Sequence, residues 1–301
     1  SGKTIAQDKL DAYYNSVCET VKTWSADQKP TDIERVALAL TSMGKDITNV
    51  DGVNLAAMIY NSEKLKNGSN ELIYALIALD AADIQIPSGA KWNRGAIIAE
   101  LAKFQNSASG GIGLSDARGG SSDITAMALQ ALSVYRNHNT AAKKISDQAL
   151  TYLKNTMGDD FGYGTSESTA QVLLALTSMG IDPLSGDFGT VNMNLITNLT
   201  GYIQSDNGFS HSMSMTKSSE MSTVQALQAL DAYSRFVNKK TAYWDLKDKG
   251  EHTKHSWNTG VVTKQSTCKE KGSKTFTCTW CGEKKTESTA LADHKWSSWK
   301  T

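Results

Sequence analysis

One pattern constrains this chain more than any other: an Ala-Leu pair inside a helix-periodic apolar stretch, met five times. The pairs end at Leu40, Leu79, Leu132, Leu176 and Leu230, with gaps of 39, 53, 44 and 54 residues. A degenerate repeat of roughly 40–50 residues marks stacked supersecondary units, each too small to bury its apolar face alone. The clearest copy runs from Ser166 to Pro183. It opens on Ser-Glu, carries a leucine and alanine seam, and is closed by Gly180 and stopped by Pro183.

In chain order, the spacing of Leu10, Tyr13, Tyr14, Val17, Val21 and Trp24 predicts a first helix over 8–25, with Cys18 a buried thiol inside it. Pro30-Thr-Asp-Ile-Glu34 reads as a capping box, with Thr31 as cap and Glu34 returning to its amide. Further helices are expected at 54–61, 70–82, 92–105, from Ser122, at 140–157, from Ser166, at 190–205 and from Ser219 to about Phe236. Three glycine turns precede recurring helices: Gly110-Gly-Ile-Gly113, Phe161-Gly-Tyr-Gly164 and Asn207-Gly-Phe-Ser210. Roughly ten helices in alternating pairs result, a mainly α chain.

The stretches FGYGTSESTAQVLLALTSMGIDP and NGFSHSMSMTKSSEMSTVQALQALDAY resemble the repeats of the squalene-cyclase and prenyltransferase-like α/α toroid, above all those of secreted Gram-positive bacterial proteins. The resemblance covers about residues 8–237. It implies an α/α toroid of about 10–12 helices, a fold that hosts terpenoid cyclases, prenyltransferases, thioester domains and cobalamin carriers alike.

The family's catalytic branches can be tested residue by residue. Triterpene cyclases carry an Asp-x-Asp-Asp acid, which neither Asp159-Asp160 nor Asp80-Ala-Ala-Asp83 supplies. The recurring helices also lack the aromatic lining that stabilises a carbocation. The toroid zinc of prenyltransferases needs Cys and His ligands, whereas residues 1–238 hold only Cys18, His138 and His211. No Gly-Cys-Gly-Glu-Gln thioester motif is present. A glycan-cleaving barrel would need two facing carboxylates about 5–10 Å apart. Its candidates are Asp32, Glu71, Asp123, Glu167 and Glu220, each in or near a first helical turn, where acids also simply complement the helix dipole.

If the recurring helices run in one direction, Asp123, Glu167 and Glu220 share a rim with His211 and the turn aromatics Phe161, Tyr163 and Phe209. These seven are the candidate ligand-binding residues, and the aromatics equally suit packing of their own turns. Gln130, Gln171, Gln225 and Gln228 bond either a ligand or one another; the sequence leaves that open.

After Lys239 the helical period ends. Residues 239–254 read as a linker and 255–301 as a small, mostly β module, with His255-Ser-Trp257, Cys268, Cys278-Thr-Trp-Cys281-Gly282 and His294-Lys-Trp296. The pattern resembles a repeat module of Gram-positive surface proteins. So short a module needs a staple. A tetrahedral zinc held by Cys268, Cys278, Cys281 and His294, with His255 as substitute, competes with a disulfide. Its four tryptophans, Trp257, Trp280, Trp296 and Trp299, form either a small core or a sugar- or wall-binding face.

Charge bears on partners. From Lys239 onward there are thirteen Lys and Arg against seven Asp and Glu, so the tail is +6 and residues 1–238 are −6, for a formal net charge of zero. That balance argues against a nucleic-acid binder. No apolar run reaches the roughly 18 residues of a membrane span. Ser1-Gly2 is expected to be a tag remnant, with the natural start upstream. The expectation is therefore a non-catalytic ligand- or partner-binding module of a secreted or cell-surface bacterial protein, its ligand a small molecule, glycan or protein. A divergent cyclase-like or glycan-active enzyme and a structural or adhesive spacer are the competing readings.

Overall fold

A computed structural model describes residues 5–115, 119–246, 257, 259–277 and 284–294. The chain divides into two compact units, residues 1–246 and 247–301.

The first unit is helical: α1 (Gln7–Val21), α2 (Pro30–Ser42), α3 (Leu55–Tyr60), α4 (Ser69–Ala81), α5 (Arg94–Leu101), α6 (Ser122–Leu132), α7 (Thr140–Thr156), α8 (Ser166–Ser178), α9 (Leu195–Thr200) and α10 (Glu220–Val237). The mainly α expectation holds. The five Ala-Leu helices are α2, α4, α6, α8 and α10, and each packs on the next in that order. Against this row lie α3 on α2 and α4, α5 on α4, α7 on α6, and α9 on α8. Three helices differ from the sequence reading. The first, expected over 8–25, ends at Val21 and leaves Trp24 beyond it. The helix expected over 190–205 shrinks to six residues, Leu195–Thr200, set by a capping box between Asn194 and Thr197. The helix expected from Trp92 starts at Arg94, because the Asn93 side chain accepts the Ala96 amide.

Position along each inner helix sets what it meets. In α4, α6, α8 and α10, the residues four and one before the pair's leucine are Ala or Val at 3% exposure or less: Ala75 and Ala78, Ala128 and Ala131, Val172 and Ala175, Ala226 and Ala229. Small side chains there let successive helices approach closely. In α6, Ala128, Ala131 and Leu132 join the core cluster shared with α2 to α5, while Ala126 and Leu129 join the cluster shared with α8 and α10. Each inner helix therefore has a leading face toward its predecessor and a trailing face toward its successor.

The turns repeat as closely as the helices. Gly110, Phe161 and Asn207 all have left-handed backbone, with φ of 82°, 59° and 65°. The next residue is glycine each time, and in the middle copy the reason is space: a Cβ on Gly162 would lie 2.3 Å from Asn198 Nδ2. A threonine seven residues before the pair's leucine then locks each turn. The amides of Ile112, Tyr163 and Phe209 donate to Oγ1 of Thr125, Thr169 and Thr223, at 2.8, 3.1 and 2.9 Å. Serines tie one repeat to the next, with Ser69 donating to the Gly113 carbonyl and Ser166 to the Ser210 carbonyl. Replacing Thr169 by Val should orphan the Tyr163 amide and lower unfolding free energy by about 1–2 kcal/mol. Urea denaturation of the pair of proteins measures it, and an unchanged midpoint would show that the lock is dispensable.

The capping box read at Thr31 and Glu34 does not form. Pro30 takes the first helical position, where its fixed φ and missing amide hydrogen fit, and the cap falls on Lys29 without a side-chain bond. Thr31 and Glu34 are drawn into the helix. Glu34 then lies fully buried on the trailing face of α2, both carboxylate oxygens lacking a hydrogen-bond partner. Asp80 shows the opposite arrangement. It accepts from Tyr135 Oη at 2.5 Å and from Arg94 Nε at 2.6 Å, joining α4, α5 and the turn after α6.

The linker reading of 239–254 also changes. Residues 239–246 belong to the helical unit. Trp244 donates from its indole nitrogen to Gln130 Oε1 at 2.8 Å and packs edge-on against Tyr74 and Tyr243, at centroid distances of 6.5 and 4.9 Å. Packing of two large, half-buried aromatics holds this segment on the helices.

In the second unit, β1 (Val261–Lys264), β2 (Ser273–Thr277) and β3 (Lys284–Ser288) form an antiparallel sheet in that order. β2 pairs with β3 from Ser273 opposite Ser288 to Thr277 opposite Lys284, and the Cys-x-x-Cys between them in sequence lies outside the described residues. One face carries a ladder of hydroxyls, Thr263 to Thr275 to Thr286 at 3.2 and 3.0 Å. On the sheet, Lys285 lies over the rings of Trp257 and Phe276 at 4.9 and 5.2 Å.

Candidate functional site

The N-terminal ends of α8 and α10 bring two of the seven rim candidates into contact. Glu167, in the first turn of α8, is held from two sides. Ser222, in the first turn of α10, donates its hydroxyl to Oε1, and His211 Nδ1 lies 2.9 Å from Oε2. Ser166 Oγ reaches the same Oε2 at 3.3 Å. Ser222 is itself fixed by Ser219, the N-cap of α10, whose Oγ lies 2.6 Å away. The rim is built this way because Ser166 ties α8 to the loop before α10: its amide donates to the His211 carbonyl at 3.1 Å.

Electrostatics follow from the contacts. Partial burial raises the Glu167 carboxyl, but the Ser222 bond, its own backbone amide and His211 outweigh that and hold it below the usual carboxylate range. Glu167 is thus an anion at neutral pH and has no proton to give as a general acid. The order of contacts also matters for nucleophilic chemistry. In the Ser-His-Asp arrangement the serine hands its proton to an imidazole that a carboxylate orients. Here the serine donates directly to the carboxylate and the imidazole sits on the carboxylate's other oxygen, so that order is not formed.

The remaining candidates are distributed differently. Asp123 occupies the same register of α6 as Glu167 in α8 and is half-buried, and Glu220 is exposed at the first position of α10. Among the described residues neither forms a hydrogen bond or ion pair with the Glu167 group. Phe209 is buried in the core, and Tyr163 donates its hydroxyl to the Leu153 carbonyl at 2.8 Å. Phe161 is half-buried at its left-handed turn position. Ser222, Ser219 and Ser166 were not singled out in sequence. Their signal was the Ser/Thr-rich start of each recurring helix, which helix capping alone explains.

Three of the four glutamines bond one another, while Gln228 is hydrogen-bonded to Tyr243 instead. Gln130 Nε2 donates to Gln171 Oε1 at 2.8 Å and Gln171 Nε2 to Gln225 Oε1 at 2.9 Å, with Trp244 closing the ladder at Gln130. Exposed methionines follow His211 by two and four residues, Met213 at 47% and Met215 at 49%. Surface clefts of about 350 and 340 Å³ lie elsewhere, one lined by Tyr14, Cys18 and Asp51, the other by Trp24, Ile33 and Met58.

Of the candidate zinc ligands, Cys268 is a half-buried free thiol and His294 is exposed, while Cys278 and Cys281 lie outside the described residues, as does His255. Among the described residues no three metal-ligating side chains cluster. No described helix is long and apolar enough to cross a membrane. No family model, curated protein or solved structure matches this chain.

Proposed function

We propose that this chain is a non-catalytic binding module of a secreted or cell-surface protein, its helical unit an arc of the α/α toroid kind that holds a small ligand, glycan or protein at the rim of α8 and α10. The ordered packing of α2, α4, α6, α8 and α10 supports the toroid kinship. The observation that carries the binding reading is the bonding order at Glu167. Its carboxylate is satisfied by Ser222 and His211, which leaves a fixed polar group rather than a reactive one. Exposed Met213 and Met215, shortly after His211 in sequence, add adaptable apolar surface, a composition suited to recognition.

The test is a thermal-shift series of soluble glycans and peptides on the native chain and on a Glu167→Gln, His211→Ala double variant. Binding at the rim raises the melting temperature progressively with ligand concentration in the native chain alone. Equal shifts in both proteins would place binding elsewhere, and any cleaved product would overturn the non-catalytic reading. One observation favours a structural spacer as second reading: the glutamine ladder and Trp244 fill the groups that a ligand lining the inner helices would need.

For the C-terminal module we propose a structural zinc held by Cys268, Cys278, Cys281 and His294. The half-buried free thiol of Cys268 fits it, since a thiolate ligand must be reduced. Metal analysis of the purified chain should give near one zinc per chain and three thiols protected until a chelator is added. Metal-free protein carrying a disulfide would remove the proposal.

A further inference from the structure

The two ends of the inner-helix row are not alike, and among the described residues each lacks a neighbour that the other inner helices have. Six and three residues before the pair's leucine, on the trailing face, stand Glu34 and Ala37 in α2, Ile73 and Leu76 in α4, Ala126 and Leu129 in α6, and Ala170 and Leu173 in α8. All eight are at 1% exposure or less. The same two positions of α10 are Val224 and Leu227, exposed at 47% and 56%, with Met221 one turn earlier at 66%. Ala226 and Ala229, on the leading face of α10, are fully buried with α8 in one core cluster. The apolar stripe of Met221, Val224 and Leu227 therefore faces where a sixth inner helix would pack.

The complement of that stripe lies on the same chain. Wherever a trailing face is covered in this row, the cover is the small-residue leading face of the next inner helix. The first inner helix, α2, has such a face in Val36 and Ala39. These stand at the positions that are buried to 3% or less in the other four helices, yet both are only half-buried here. Among the described residues no packing comparable to that between successive inner helices joins α10 to α2 of the same chain.

We propose that the open face of α10 is the seat for α2 of a second copy of this chain, so that copies add head to tail and continue the row from α10 onto the next α2. The contact is heterologous: the two surfaces differ, and assembly passes beyond a dimer unless its rotation closes a ring. Burying Met221, Val224 and Leu227 supplies the driving force, as the same positions do inside the row. The proposal does not depend on the rim site, since Glu167, His211 and Ser222 are not part of either face.

Sedimentation velocity of the full chain from low to high micromolar concentration tests it, together with Leu227→Glu on α10 and Ala39→Arg on α2. Native protein should show mass that grows with concentration, and each single variant should sediment as one chain. The informative sample is an equal mixture of the two variants. Each retains one intact end, so the mixture should form dimers and nothing larger. Val224→Glu, equally on the surface, replaces Leu227→Glu if the latter melts early, and Val36→Gln replaces Ala39→Arg on the same criterion. Native protein that stays monomeric throughout overturns the proposal. So does self-association that survives the α2 variants but not the α10 variants, because that would mean α10 meets α10 of its partner. Loss of assembly in both variants without recovery in the mixture overturns it too.

Discussion

Replacing Glu34 by Met should make this protein more stable at neutral pH. Glu34 is fully buried on the face of α2 that packs on α4, and neither carboxylate oxygen has a hydrogen-bond partner. Burial drives its carboxyl well above the usual range, and the charge of Glu71 pushes in the same direction. The folded state thus holds the Glu34 proton more tightly than the unfolded chain does. Below the unfolded value, about 4.3, both states are protonated and stability is at its highest for this group. As pH rises through the window between the unfolded and the raised folded value, the unfolded chain releases the proton first and stability falls. At neutral pH the orphaned polar group costs about 1–3 kcal/mol, and an apolar side chain of similar length removes that cost. Thermal or urea melts of native, Glu34→Met and Glu34→Gln proteins between acid and neutral pH check both points. Met should gain most at neutral pH and progressively less toward acid, and Gln should abolish the pH-dependent part. A loss of stability in the Met variant would show that Glu34 has a partner in solution and is not an orphan.

Replacing Trp244 by Ala should be strongly destabilising although it lies outside the inner helices. Its ring packs between Tyr74 and Tyr243, and its indole nitrogen terminates the Gln130–Gln171–Gln225 ladder. Truncating a fully buried tryptophan costs about 3–5 kcal/mol; for half-buried Trp244 the packing loss is about 2–3 kcal/mol, and leaving Gln130 short of a donor adds to it. The expected readout is a lower midpoint in denaturant, measured by circular dichroism so that the lost fluorophore does not interfere. Trp244→Phe should recover the packing but not the hydrogen bond and fall between the two. If Trp244→Ala leaves the midpoint unchanged, the segment after α10 is not part of the cooperative unit, and the helical domain ends near residue 238 as the composition suggested.

The sequence revealed local order well and neighbours poorly, and particular residues show why. The Ala-Leu pairs located all five inner helices, and the glycine turns ahead of α6, α8 and α10 were visible as motifs. Both signals live within one helical turn or one tight turn of the chain. Thr31 and Glu34 were misread because the capping pattern there fits two helix starts offset by two residues. Pro30 and the packing of α2 on α4 chose the earlier one. The short α9 was overestimated for a related reason: a polar stretch around 190–205 carries weak periodicity, and a capping box at Asn194 defines the start instead.

The candidate site divides along the same line. Glu167 and His211 were legible as an acid in a first turn and a histidine in the following rim loop. That they touch depends on α8 and α10 being adjacent, a contact across 44 residues of sequence. Ser222 was invisible as a partner because a serine at a helix start already has a sufficient reason to be there. The four glutamines could not be assigned, since a glutamine column on a helix looks the same whether it faces a ligand or its counterpart on the next helix.

By itself, then, the sequence determined the helices, their repeat register, the turns that join them and the change of composition beyond the last one. These depend on residues within a few positions of one another, through the 3.6-residue period, capping and left-handed turn positions. Only the tertiary structure decided that Glu34 lies orphaned, that Trp244 belongs to the helical unit, that Gln130, Gln171 and Gln225 bond one another, and that α10 ends the row with an apolar face uncovered. Each of these depends on which segments meet across roughly 40 to more than 100 residues of chain, and side-chain chemistry along the chain does not encode that meeting until the units stack.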